Sequence, residues 1–285
     1  MLASPEIRSL LRRTRRNPLA VVGLAMVGFV LVFSLLLPLV LPFDPNQMNV
    51  RNALQPPGPV HLLGTDQFGR DLLARLAHGG IISLQVGFAV TLLSVLVGVG
   101  LGALSGFAGG ATDAAIMRVM DALMAFPGLL LAIALVAVFG GTMTAIVVAL
   151  TIVGVPRFAR VVRATVMQRK ESDYVTAAVA LGKRPWKVLF QDILPNCSGP
   201  IIVQATLKFP GAILGEAGLS FLGLGLPPPA PSWGRMLQES RAFMEVAPNA
   251  AILSGLAIFI TVLGFNLLGD GLRDVLDPRS PRSRS

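Results

Sequence analysis

The chain has 285 residues, 53% apolar and 14% charged, with a mean hydropathy of +0.71 and a formal charge of +9. That composition is outside the range of water-soluble domains of this size and defines an integral membrane protein. Its basic residues are scattered between apolar runs rather than gathered with stacking aromatics, which excludes a nucleic-acid module, and one cysteine (Cys197) with two histidines (His61, His78) indicates neither an intrachain disulfide nor a metal cluster.

A helix needs about 20 apolar residues to cross the hydrocarbon core, and windows of that length place spans at 19–41, 82–105, 125–140, 144–163, 198–222 and 250–269. The expected fold is all-α and polytopic, with six transmembrane helices. The first span follows a basic segment, 1–18. It is too long for a signal-peptide core and lacks a small-residue cleavage site, so it reads as an uncleaved anchor.

The segment 43–80 is Pro-rich and then turns amphipathic at Phe68, Leu72, Leu73 and Leu76. Asp66 and Asp71 are too few for a calcium-type oxygen cage, and helix capping by Thr65 or Asp66 is the better reading. Gly98, Gly102, Gly106 and Gly110 form a small-residue stripe at four-residue intervals, suited to close helix contact in lipid. The partner helix can belong to this chain or to another. Arg118 and Asp121 mark the stretch from Thr112 as an interfacial helix turning at Pro127 into a short third span.

Residues 169–196 interrupt the apolar pattern with two short amphipathic stretches. Tyr174, Ala177, Ala178 and Leu181 recur at i, i+3, i+4 and i+7, as do Trp186, Leu189, Phe190 and Ile193. Ser172 and Asp173 suit a helix start, Gly182 a left-handed stop, Lys183-Arg184-Pro185 a turn, and Pro195 the end of the second helix. Such a helix-turn-helix either docks a soluble partner or lies among the headgroups. In the next span, Lys208 sits near the middle beside Pro210, and Glu216 about two turns later. Intramembrane charges are costly enough to be functional candidates: both residues either face a water-filled path, or Lys208 pairs internally and Glu216 caps a helix break. The loop 223–249, with Trp233 and Arg235, is expected on the surface.

Lys and Arg set the orientation. With six spans, 18 of the 24 basic residues fall on the side of both termini and of 169–196. That side is therefore the cytoplasm, and 43–80 and 223–249 face outward.

The run "DYVTAAVALG" followed by "ILPN" resembles the cytoplasmic EAA loop of ABC importer permeases. "LGTDQFGRDLLARL" (63–76), "MRVMDALMAFP" (117–127), "GEAGLSFLGLGLPPPAPSWGRML" (215–237) and "FNLLGDGLRDVLDPR" (265–279) are similar to the C-type permease subunit of the dipeptide/oligopeptide/nickel importers. The resemblance covers nearly the whole chain. It implies a type I ABC importer permease-like fold in which 82–269 is the permease core and 270–285 a cytoplasmic tail. Thr176, Ala177 and Ala178 fall at the EAA positions, with Thr176 where the family usually has Glu; Gly182 is the motif glycine and Leu194-Pro195 its closing pair. The coupling residues it implies are Asp173, Tyr174, Thr176, Ala177, Ala178, Leu181, Gly182 and Trp186. The partners it implies are a second, homologous permease, two ATPases that hold ATP and Mg, and an extracytoplasmic substrate-binding protein at the inner membrane. Peptides are the expected cargo and nickel or other metal chelates the alternative. The chain has no G-x-x-x-x-G-K-[ST]: Gly182-Lys183 is followed by Arg184, and Ala177 stands where the first glycine must be. No cofactor and no catalytic role are expected. A secondary transporter would show inverted repeats, and an intramembrane hydrolase a nucleophile and base within the spans; neither pattern is present.

Overall fold

The computed structural model describes Thr14 and residues 17–276, which are helical and irregular with no strands among them. Most of the basic segment 1–18, and 277–285 of the tail, lie outside the described residues. Nine helices carry the architecture: α1 (Pro18–Leu35), α2 (Leu72–Ala108), α3 (Gly110–Met124), α4 (Gly128–Phe139), α5 (Met143–Lys170), α6 (Asp173–Ala180), α7 (Ser198–Phe221), α8 (Trp233–Ser240) and α9 (Asn249–Leu276). Four of them, α1 (with its short extension to Val40), α2, α5 and α9, are long and apolar enough to cross a membrane. The pair α3 and α4, bent by 91° at the break before Gly128, makes a fifth candidate. The remaining expected span, 198–222, corresponds to α7, whose 24 residues contain Lys208 and Glu216; α7 is not among the helices apolar enough to cross, so four to five of the six expected spans are found.

Helix α2 is longer than the span expected at 82–105. It fuses the amphipathic stretch to the span in one 37-residue helix, about 55 Å at 1.5 Å per residue. Its start is capped by Asp71, whose Oδ1 accepts from the amide of Ala74 at 2.8 Å. The cap is thus neither Thr65 nor Asp66, because the chain turns at Asp66–Gly69 and helical geometry begins only at Leu72.

The glycine stripe finds its partner inside the chain. α2 and α5 run parallel, so successive glycines meet successive turns of α5. Gly98 lies against Val155 and Phe158. A Cβ on Gly102 would meet the Ala159 carbonyl oxygen at 2.5 Å, and one on Gly106 the Arg163 carbonyl oxygen at 2.8 Å. In lipid, this close approach supplies dispersion contact that water expulsion does not. Gly110 does not join the stripe: Gly109, at φ 67°, breaks the helix first and Gly110 opens α3. α3 is held to α5 by Arg163, whose Nε and Nη2 each donate to Asp113 at 2.5 Å, and Ser105 of α2 donates to the same carboxylate.

α1 and α9 close the bundle through a second small-residue contact. Gly264 and Gly271 leave room for Met26 and Ala20, and Asn17 Nδ2 donates to Asp274 Oδ2 at 3.4 Å. The start of α1 and the end of α9 therefore lie together.

Candidate functional site

The helical loop after α5 is built on a buried anchor. α6 begins after Ser172, with Asp173 in the first turn, where a carboxylate suits the helix dipole. It ends in a Schellman turn: the Lys183 amide donates to the Ala178 carbonyl at 3.1 Å, the Gly182 amide to Val179 at 2.9 Å, and Gly182 takes φ 77°. This is the backbone conformation that glycine adopts without a Cβ penalty. Lys183 Nζ donates to both oxygens of Asp192, at 2.8 and 2.6 Å, pinning the turn to the segment that follows.

That segment is not the second α-helix the spacing predicts. One turn at Pro185–Lys187 widens into a π-helical stretch, Val188–Ile193, and tightens into a 3-10 turn, Leu194–Cys197, that runs straight into α7. Pro195 ends the π stretch but not the helical path, since a proline in a first turn gives up only an amide that would be free anyway. Widened turns expose different faces of one segment, and here they divide the apolar residues into two sets. Val175, Val188, Leu189, Ile193 and Cys197 pack with Ala103 of α2 and Val162 and Val166 of α5. Tyr174, Val179, Leu181, Trp186 and Phe190 point away from the bundle; Leu181 is 88% and Trp186 64% exposed. Trp186 and Phe190 stack with centroids 6.3 Å apart. Asp173, Thr176 and Ala177 are also exposed, and Ala178 is half-buried. Burial inside the Cys197 site pushes its thiol up from the usual range, so it serves as a small apolar side chain.

The two charged residues of α7 sit in different surroundings. Glu216 is fully buried in a cage of serines. Its Oε1 accepts from Ser220 at 2.7 Å and Ser232 at 2.9 Å, and Ser83 Oγ lies 3.4 Å from Oε2. These hydroxyls come from α7, the cap of α8 and α2, so the carboxylate ties three elements together. Lys208 is half-buried, and its Nζ and Cε occupy the space that a side chain on Gly154 of α5 would fill.

At the opposite end of the bundle is a buried ion network that sequence reasoning missed. Arg70 and Arg75, about 2% and 1% exposed, share Asp66 and Glu239: Arg70 Nε to Asp66 at 2.6 Å, Arg70 Nη2 to Glu239 at 2.9 Å and Arg75 Nη2 to Glu239 at 3.2 Å. Arg235 Nε adds 2.9 Å to the other Glu239 oxygen. Asp66 also accepts from the Phe68 and Arg70 amides. The network joins the 63–75 segment to α8, and Trp233 locks the joint. Contrary to the expected surface placement, Trp233 is 1% exposed, with its indole Nε1 donating to the Leu76 carbonyl at 2.9 Å. The exposed parts of that loop include Gly223, the prolines 227–229 and most of the tip from Arg241 to Val246.

A bundle of apolar helices with a buried polar joint at one end and an anchored, outward-facing apolar loop at the other defines a polytopic membrane protein built around a protruding helical loop. The family model for the binding-protein-dependent transport system inner membrane component matches residues 98–281, and that for the N-terminal transmembrane domain of oligopeptide transport permease C matches residues 7–57. The dipeptide transport system permease protein DppC of Alkalihalophilus pseudofirmus is 43% identical over 272 residues, 95% of this chain and 90% of that one. The oligopeptide transport system permease protein OppC of Bacillus subtilis is 42% identical over 267 residues, 94% of this chain and 88% of that one. Among solved structures, the MetNI methionine ABC transporter in inward-facing conformations matches with a TM-score of 0.58 at 17% identity, over 71% of this chain and 96% of that one. An amino acid ABC transporter with histidines matches at 0.54 and 18%, over 70% and 92%; both establish the fold alone. The chain belongs to the family of binding-protein-dependent transport inner membrane components, the permeases of ABC importers.

Proposed function

We propose that the chain is the non-catalytic permease subunit of a bacterial inner-membrane importer of dipeptides and oligopeptides. It works with a second, homologous permease, two ATPases that bind ATP and Mg, and an extracytoplasmic binding protein. The observation that carries this reading is the division of the 173–197 loop into a buried half fixed to α2 and α5 and an exposed apolar half. A shape of this kind transmits a push: force on Leu181 or Trp186 passes through Val175 and Leu189 to Val162 and Val166 without a flexible link. Relatives named for dipeptide and oligopeptide transport support the cargo.

In this reading the chain spans the membrane six times, with α7 as the span that holds the polar groups. Both termini and the loop are cytoplasmic, which the meeting of Asn17 with Asp274 supports. Residues 43–80 and 223–249 face the binding protein, 82–269 form the permease core with its coupling loop at 169–196, and 270–285 form the tail. ATP closes the two ATPases, the coupling loops move together, and the path between the permeases opens outward to a loaded binding protein. Lys208 is a path residue. Glu216 acts as the joint that keeps α2, α7 and α8 moving as one body.

The test is transport-coupled ATP hydrolysis by the complete complex in proteoliposomes, offered short peptides and then nickel chelates. Stimulation by peptides supports the reading. Stimulation by chelates alone moves the cargo to metal complexes and leaves the architecture standing.

A further inference from the structure

Hydroxyls inside helices ordinarily return a hydrogen bond to a carbonyl one turn back. Thr165, Thr206, Ser254 and Thr261 do so here, at 2.7 to 2.8 Å. Four buried hydroxyls among the described residues do not: Ser34 of α1, which lies apart against Gly80, and Thr91 and Ser94 of α2 and Thr151 of α5 have no partner. The parallel register that sets Gly98 against Val155 brings Ser94 against Gly154, with Thr91 and Thr151 each about one turn away on its own helix. Lys208 reaches that level from α7: Ser94 Oγ and Lys208 Nζ lie 2.5 and 2.8 Å from the point where a Cβ on Gly154 would stand. No carboxylate pairs with Lys208 among the described residues. Arg157, three residues beyond Gly154 on α5, is an exposed cation with no ion-pair partner among the described residues either.

The patch thus holds an ammonium and unpartnered hydroxyls with no anion among them. Two neighbouring cations repel, and in hydrocarbon each is costly. A buried hydroxyl without a partner costs about 1–3 kcal/mol. An anion at Gly154 would accept from both the Lys208 ammonium and the Ser94 hydroxyl, and a carboxylate fits best because its two oxygens can take the two donors together.

We propose that Lys208, with Ser94 beside it at Gly154, holds the carboxylate of the passing substrate and so selects free-acid over carboxyl-blocked cargo. The inference rests on the peptide-importer reading and adds a specificity-determining residue to it. Gly154 belongs to the device, since its missing side chain makes the space into which the lysine reaches.

The experiment is uptake into proteoliposomes of the complete complex, comparing a dipeptide of alanine with its C-terminal amide, for wild type, Lys208→Met and Lys208→Arg. The expected result is that Lys208→Met lowers uptake of the free acid about tenfold and leaves the amide unchanged, while Lys208→Arg keeps the wild-type ratio. Because the same binding protein serves all three, its own preference cancels in the ratio. Equal loss of both peptides in Lys208→Met would mean that the lysine pairs with a fixed carboxylate of the assembly, and would overturn the proposal. Unchanged uptake of both would overturn it as well. A wild-type complex that takes up neither peptide would overturn the peptide reading of function and this inference with it.

Discussion

Gly182 shows how much can rest on one residue. At φ 77° it closes α6, and no atom lies within 4 Å of where its Cβ would stand. A substitution there acts through backbone strain alone. Gly182→Val should cost about 1–2 kcal/mol locally, the penalty of an L-residue in left-handed geometry. The strain is relieved most easily by shifting the exposed half of the loop, so the variant should insert normally yet lose transport-coupled ATP hydrolysis, measured in proteoliposomes. Normal coupled turnover would show that the turn geometry does not matter for coupling. Glu216 makes the complementary case of a polar group with every nearby donor committed to it. Glu216→Gln keeps an acceptor for Ser220 and Ser232, whereas Glu216→Leu strands both in a buried site at about 1–3 kcal/mol for each unsatisfied group. Thermal unfolding of the detergent-purified protein should therefore rank wild type, Gln, then Leu, with the larger drop at Leu.

At the scale of elements, the small-residue contact between α2 and α5 is the main packing device, and its effect depends on which face a glycine occupies. Gly102→Val drives a side chain into the Ala159 carbonyl and Val162 Cβ, 2.5 and 2.9 Å away; overpacking of this kind costs about 1–3 kcal/mol. Gly100 on the same helix has nothing within 4 Å, so Gly100→Val should be near neutral in the same unfolding measurement. Equal effects of the two would refute the packing account. The stripe, the turn at Pro127 and the stop at Gly182 were legible in the sequence because each depends on residues a few positions apart. The buried face of the loop was legible only in part. A 3.6-residue period groups Trp186 with Leu189 and Ile193, but the π turn rotates the segment and leaves Trp186 outside while Leu189 and Ile193 go in. The network of Asp66, Arg70, Arg75 and Glu239 was not legible at all: its halves stand more than 160 residues apart, and no local period connects them. Trp233 misled for the same reason, since its position in a polar, Pro-rich loop gives no sign of the Leu76 carbonyl that takes its indole.

The whole molecule is polarised: its charged joint is internal, whereas its loop leaves large apolar side chains exposed. Leu181 and Trp186 therefore add little to the stability of the isolated subunit, and replacing either with Asp should change folding by no more than about 0.5 kcal/mol, as for other surface sites. In a docked complex the same residues become buried anchors. Aromatic and apolar anchors of this kind typically carry about 2 kcal/mol or more, close to a thirtyfold change in affinity. Leu181→Asp and Trp186→Asp should therefore purify with an unchanged unfolding temperature but fail to retain the ATPase subunits on co-purification. Val175→Asp, on the buried half, should instead lower the unfolding temperature before any partner is added. If both exposed-face variants keep their ATPases and the only change is in how the protein sits in lipid vesicles, the loop lies among the headgroups. The push through Val175 and Leu189 would then have no source, and coupling would have to enter the bundle elsewhere.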